Sequence, residues 1–241
     1  MNPKEPFKFS NVVLIAPLLA ILSIWTVFWV EVKFGLNFND FGIYPRRLSG
    51  LKGVLFSPFI HGSVEHLYNN TIPLAILTAF LFYFYRTAAA KVLFLGVILS
   101  GLLTWAIARP SYHIGASGLI YVLVSFIFFK GIFTKHYRLV ALSLVVVFIY
   151  GSMIWYIFPV KDGISWEGHL AGFLTGLLLA LFLKVKTPEI KKYEWEQEEY
   201  DEGNDPFLRH FDEHGNFIER KEEDDTQEIQ VNYHYKKTKE D

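Results

Sequence analysis

Six stretches of the chain carry almost no polar side chains, near 11–31, 67–85, 91–108, 117–134, 139–159 and 169–185. Each is about as long as a helix needs to cross a hydrocarbon core of roughly 30 Å. Lipid offers backbone groups no hydrogen-bond partners, and these runs are too long for barrel strands, so the pattern predicts helices. The first run follows Lys4 and Lys8, as the apolar part of a signal peptide would. It leads into Glu31 and Lys33 instead of a small-residue cleavage site, and it reads as a span. The predicted fold class is all-α, a polytopic membrane protein with a six-transmembrane-helix bundle.

The connection at 32–66 breaks the pattern of a solvated loop. It carries Phe34, Leu36, Phe38, Phe41, Ile43, Leu48, Val54, Leu55, Phe56, Phe59 and Ile60. Two arrangements fit: a membrane-associated loop half-submerged in one leaflet or packed on the bundle, or a small subdomain with its own core.

Composition sharpens this division. The chain has 241 residues, 52% of them hydrophobic, and a formal net charge of −1. Mean hydropathy is +0.27. The charge conceals two unlike parts. Residues 1–186 hold 15 Lys and Arg against 6 Asp and Glu, a balance of +9; residues 187–241 hold 8 against 18, a balance of −10. The expected organisation is a cytoplasmic N-terminus at 1–10, a membrane domain at 11–186 and an acidic, disordered cytoplasmic tail at 187–241. Cysteine is absent, which excludes thiol nucleophiles and thiolate metal sites. Overall charge gives no ground for nucleic-acid binding.

Basic residues predict orientation. With the N-terminus inside, inner segments hold Lys4, Lys8, Arg86, Lys91, Lys130, Lys135, Arg138, Lys184 and Lys186. Outside the long loop, the opposite side holds only Arg109 and Lys161. Both termini are therefore expected on the cytoplasmic side.

Three polar clusters interrupt the helix starts, where polar groups in membrane proteins are costly and often functional. They are His61, His66, Asn69 and Asn70; His113 with Gly115-Ala116-Ser117-Gly118; and Gly168-His169 with Gly172 and Gly176. They open spans 2, 4 and 6. Even-numbered spans start on the same side, so the clusters meet at one membrane depth, expected on the outer side. His66 and Asn70 are four residues apart and share a face, as do Ser117 and Tyr121. His169, Gly172 and Gly176 form one stripe whose glycines let a neighbouring helix come close. With span 4 as that neighbour, His169 reaches Ser117. A serine beside an imidazole is the nucleophile and base of acyl-transfer chemistry. His66, Asn70 and the Ser117 N–H would supply donors for a tetrahedral oxyanion.

Each element has a plainer explanation when taken alone. A serine at a helix start is usually a cap. The sequence G-A-S-G is not the hydrolase nucleophile elbow. His61 and His66 are badly spaced for one helix face and have no carboxylate to complete a metal site, so no metal is expected. Gly172 and Gly176 alone mean ordinary helix packing. Their joint occurrence on one side, with complementary roles, favours a catalytic site.

These residues resemble the rhomboid family of intramembrane serine proteases, over roughly residues 10–185. The matching motifs are His61-x4-His66-x3-Asn70 entering span 2, Gly115-x-Ser117-Gly118 entering span 4, and Gly168-His169-x2-Gly172-x3-Gly176 in span 6. The resemblance implies a Ser117–His169 dyad with no obligatory acid, Tyr121 stacked on the imidazole, and His66 and Asn70 as the oxyanion pair. It implies a structural and water-retaining place for His61, and a membrane-embedded loop at 32–66. Where that loop often carries Trp-Arg, this chain has Pro45-Arg46-Arg47. The acidic tail has no counterpart in the resemblance.

The implied activity is endopeptidase cleavage in or near transmembrane segments of membrane proteins. Its partners are then a transmembrane substrate and the lipid bilayer, with no nucleic acid and no cofactor. The expected location is a bacterial cytoplasmic (inner) membrane, with the site opening to the outer side. Oligomeric state is not assigned. Two other readings compete: a catalytically silent rhomboid-like binder or chaperone, and a transporter on an unrelated bundle. The transporter would account for buried polar groups but not for a nucleophile, base and oxyanion set in this order.

Overall fold

A computed structural model describes residues 7–186 and 193–219. The protein is an all-α, integral multi-pass membrane protein. Helix α1 spans Val12–Phe34. A loop of 3-10 turns follows, with the one-turn helix α2 at Gly53–Phe56. The remaining helices are α3 (Val64–Phe84), α4 (Arg86–Ile107), α5 (Ser117–Thr134), α6 (Tyr137–Tyr150) and α7 (Trp166–Phe182). Helix α6 continues as a 3-10 segment, Gly151–Ile157. Among the described residues, α1, α3, α4, α5 and α6 with its continuation are long and apolar enough to cross a bilayer; α7, at 17 residues, is apolar and shorter.

Local chemistry explains where the helix ends depart from the apolar runs. Helix α3 starts three residues earlier than its run because Ser63 Oγ accepts the His66 N–H at 3.1 Å. Helix α7 starts earlier for the same reason: Ser165 Oγ accepts the Gly168 N–H at 3.3 Å. Such caps satisfy N–H groups that the first turn leaves without partners. The run at 139–159 is not one regular helix, since it tightens into 3-10 geometry at Gly151 and stops before Pro159.

Helix α5 is central, packing against α3, α4, α6 and α7. Its Ile120, Val122, Leu123, Phe126 and Ile127 are buried in the main apolar cluster. Its contact with α7 is made by glycine. A Cβ at Gly172 would stand 2.2 Å from the Gly118 carbonyl oxygen, and one at Gly176 would stand 2.4 Å from that of Val122. The backbones are closer than any larger residue allows.

Lys130 departs from the expected arrangement. Counted among the inner-side charges, it lies buried within α5 rather than in solvent, with Nζ donating to the Ala180 carbonyl at 2.9 Å. That carbonyl is in the last turn of α7, where helix carbonyls lack intrahelical donors and a cation is favourable.

The long loop packs on the bundle and has no core of its own. Ile43, Val54 and Ile60 are buried, while Leu48, Leu55 and Phe56 are exposed. Val54 rests against α4 at Gly101. Arg46 Nη1 donates to the Ala108 carbonyl at 2.7 Å, and Trp105 Nε1 of α4 donates to the Arg47 carbonyl at 2.9 Å. The loop's own motif lacks a tryptophan, and one from α4 bonds to it.

Of the acidic stretch at 187–241, residues 193–219 are described and form a separate small unit. It contains three 3-10 turns and an isolated Phe211–Phe217 bridge. Asp201, Asp205 and Asp212 accept nearby backbone N–H groups. The remainder of the expected tail, and residues 1–6 of the expected N-terminal segment, lie outside the described residues.

Candidate active site

The N-terminal ends of α3, α5 and α7 surround one cavity of about 880 Å³. Its lining includes His66, Asn70, Ser117, Tyr121 and His169. The topology thus brings the three polar clusters to one end of the bundle.

Ser117 is the first residue of α5, and its hydroxyl does not cap the helix. Ser117 Oγ lies 3.0 Å from His169 Nε2. On the other side of the ring, His169 Nδ1 is 2.9 Å from the Tyr156 carbonyl oxygen. A carbonyl only accepts, so Nδ1 carries the proton and Nε2 presents its lone pair to the seryl hydroxyl. In this tautomer Ser117 donates and His169 accepts.

Local sequence leaves the Tyr156 carbonyl available. A 3-10 bond to it would come from residue 159, which is proline and has no N–H. The next N–H, of Val160, donates to Phe158 instead. The Tyr121 ring lies parallel to the His169 ring, with centroids 4.3 Å apart and planes at 14°. Tyr121 Oη donates to the Met153 carbonyl at 2.7 Å. The 3-10 continuation of α6 therefore holds both the imidazole and the ring stacked on it. Neither carbonyl was anticipated from sequence. Pro159 was the one available signal.

Gly115 has a φ of +105°, which disfavours side chains, and its packing also excludes one. A Cβ there would stand 2.6 Å from His66 Nε2 and 3.7 Å from Asn70 Nδ2. The absent side chain lets the His66 ring approach the segment two residues before Ser117, with the Asn70 amide at ordinary contact distance beside it. Asn70 Nδ2 donates one hydrogen to the His66 carbonyl at 2.9 Å, leaving its second available. The Ser117 N–H belongs to the first turn of α5, whose N–H groups lack intrahelical acceptors. The dipole of α5 adds partial positive charge there.

His61 lies behind this segment rather than in the cavity lining. Its Nδ1 is 3.3 Å from the Phe59 carbonyl, its Nε2 meets the Ala116 N–H at 3.5 Å, and its ring packs on His66. Burial, with the nearby His66, pushes its pKa down to about 4. It stays neutral and supports the turn into Ser117. Gly118 faces the Gly168 carbonyl, and Gly172 and Gly176 bring α7 onto α5. Glu167 is buried and pairs with Arg109 Nε at 3.7 Å, so the carboxylate nearest His169 in sequence is not its hydrogen-bond partner. Among the described residues, no three His, Asp or Glu side chains gather as metal ligands would.

Residues 49–186 match the family described as Rhomboid domain, from the long loop to the end of α7. An uncharacterized protein of Mycobacterium bovis and one of Mycobacterium tuberculosis are each 35% identical over 185 residues, covering 71% of this chain and 74% of the relative. An uncharacterized Mycobacterium leprae protein is 32% identical over 169 residues, covering 64% of each chain.

Proposed function

The chain belongs to the rhomboid family, and we propose that it is an intramembrane serine endopeptidase. Its substrates are membrane proteins cleaved in or near a transmembrane segment. The observation that carries this reading is the Ser117–His169 hydrogen bond of 3.0 Å, with the far nitrogen of the imidazole held by the Tyr156 carbonyl.

In this reading Ser117 Oγ attacks the scissile carbonyl carbon as its proton passes to His169 Nε2. The carbonyl oxygen becomes an oxyanion, stabilised by the Ser117 N–H, Asn70 Nδ2 and the His66 ring. On collapse the C–N bond breaks, and the imidazolium gives its proton to the leaving amine. Water then attacks the acyl-enzyme ester, losing a proton to His169. The ester C–O bond breaks, Ser117 recovers its proton, and the acid product leaves. The Tyr156 carbonyl keeps Nδ1 protonated throughout and stabilises the transient imidazolium. The cycle balances without a cofactor.

The basic residues support cytoplasmic termini, which puts the cavity on the outer side of the membrane. Without Lys130, the inner side still holds Lys135 in the connection between α5 and α6 and Arg138 in the first turn of α6. The test is cleavage of a reporter transmembrane substrate by purified protein. Ser117→Ala and His169→Ala are each expected to abolish cleavage while the fold persists. Undiminished turnover in either would refute the dyad. Folded wild type that cleaves no member of a transmembrane panel would favour a non-catalytic membrane-protein binder.

A further inference from the structure

A second Ser–His pair lies beside the first. His113 is buried, and its Nδ1 lies 2.6 Å from Ser165 Oγ. Its Nε2 is 3.0 Å from the Arg109 carbonyl. That carbonyl only accepts, so Nε2 carries the proton and Nδ1 accepts from the Ser165 hydroxyl. Ser165 Oγ also accepts the Gly168 N–H that begins α7. This hydroxyl is committed to two structural bonds and is unsuited to be a nucleophile.

The two pairs are in register. Ser117 follows His113 by four residues, and His169 follows Ser165 by four. The main chain of His113 is itself fixed, exchanging both hydrogen bonds with Ile43 at 2.9 Å. The segment entering Ser117 is therefore anchored to the long loop through its backbone and to the start of α7 through the His113 side chain. Arg109 strengthens the same junction, with Nη2 donating to the Ile164 carbonyl at 2.6 Å.

We infer that His113 and Ser165 are positioning residues that set the separation of Ser117 and His169, acting through the starts of α5 and α7. This rests on the hydrolase reading above. Glycine packing between α5 and α7 brings the helices together along their length. It does not determine how the approach segment 108–116 is turned at its end, and the direction of Ser117 Oγ depends on that. Near-attack geometry is sensitive to this: a displacement of about 1 Å reduces rate by up to about 100-fold.

The test uses the full chain in detergent. It measures the second-order rate of Ser117 labelling by a fluorophosphonate, kcat and KM for a reporter transmembrane substrate, and the thermal midpoint. His113→Phe keeps the ring's bulk and removes both nitrogens. Ser165→Ala removes the hydroxyl, and Ser165→Thr keeps it. Expected are losses of about 10- to 100-fold in labelling rate and kcat for His113→Phe and Ser165→Ala, with KM changed by less than about 3-fold. The double variant loses less than the product of the two single losses, because the His113–Ser165 bond is common to both, while His113→Phe also removes the Arg109 contact and Ser165→Ala the cap of α7. Ser165→Thr recovers most of the loss. Wild-type labelling rates in folded His113→Phe or Ser165→Ala overturn the inference. So do losses that multiply in the double variant, or a Ser165→Thr as slow as Ser165→Ala. If His113→Phe does not fold, the Ser165 pair decides by the same criteria. Wild type that neither labels nor cleaves overturns the hydrolase reading together with this one; labelled wild type with unaffected variants overturns this one alone.

Discussion

Replacing Gly172 by alanine adds one methyl group at the tightest point between α5 and α7. That methyl would stand 2.2 Å from the Gly118 carbonyl oxygen and 2.9 Å from Tyr121 Cβ. Ordinary contacts begin at 3.4 Å. Backbone on one side and the start of a stacked ring on the other cannot swing away as a long side chain would. The helices must part by about 1 Å, since packed interiors have no slack to absorb the clash. Ser117 is one residue from Gly118, and His169 one turn before Gly172, so the parting falls on the 3.0 Å dyad bond. At about 4 Å a hydrogen bond is lost. The expected loss in kcat is about 100-fold, with a destabilisation of about 1–3 kcal/mol. Gly118→Ala is the comparison, because its methyl would meet only the Gly168 carbonyl, at 3.6 Å. It should lose much less. Cleavage of the reporter substrate, corrected for the folded fraction, reads both. Gly172→Ala with wild-type kcat would refute the claim that the dyad bond needs the close glycine packing of α5 on α7.

Further outcomes follow from other contacts. Tyr121→Phe keeps the ring on His169 but loses the bond to Met153, so kcat should fall only a few-fold; Tyr121→Ala loses the stack too and should fall further, in the same cleavage assay. Lys130→Met removes the cation that caps α7 and should lower stability by about 1–3 kcal/mol in thermal or denaturant unfolding, leaving kcat of the folded fraction near wild type. Stability should also fall with acid. His61 is held at about 4, by burial first and by His66 next, and burial lowers His113 as well. Both folded values lie below the ordinary 6.5, so the unfolded chain binds more protons and stability rises with pH. The His61 contribution is complete above 6.5 and is lost as pH falls from there toward 4; that of His113 is lost in the same direction. The thermal midpoint should drop across that window, and His61→Gln should make the drop shallower.

The apolar runs located the spans because lipid imposes a simple rule on backbone hydrogen bonds. Helix periodicity then placed Tyr121 with Ser117, and Gly172 and Gly176 with His169. Helix starts were less legible. Ser63 and Ser165 extend α3 and α7 past their apolar runs through capping bonds, which depend on short-range geometry. Lys130 was counted with the inner-side charges at the end of the run 117–134, and its burial within α5 was not legible there. Its partner, the Ala180 carbonyl, is fifty positions away. The same limit hid the groups holding the imidazole and Tyr121. Those partners are main-chain carbonyls of Tyr156 and Met153, and every residue type has one. His113 stood out as polar, but its relation to Ser165 appeared only when the starts of α5 and α7 were brought together.

The central claim is that Ser117 is a nucleophile activated by His169. Its most direct test is intact-mass analysis after exposure to a fluorophosphonate. Wild type should gain the mass of one covalent adduct, Ser117→Ala none, and His169→Ala should react far more slowly. A wild type that gains no adduct, or a Ser117→Ala protein that gains the same one at the same rate, would contradict the account.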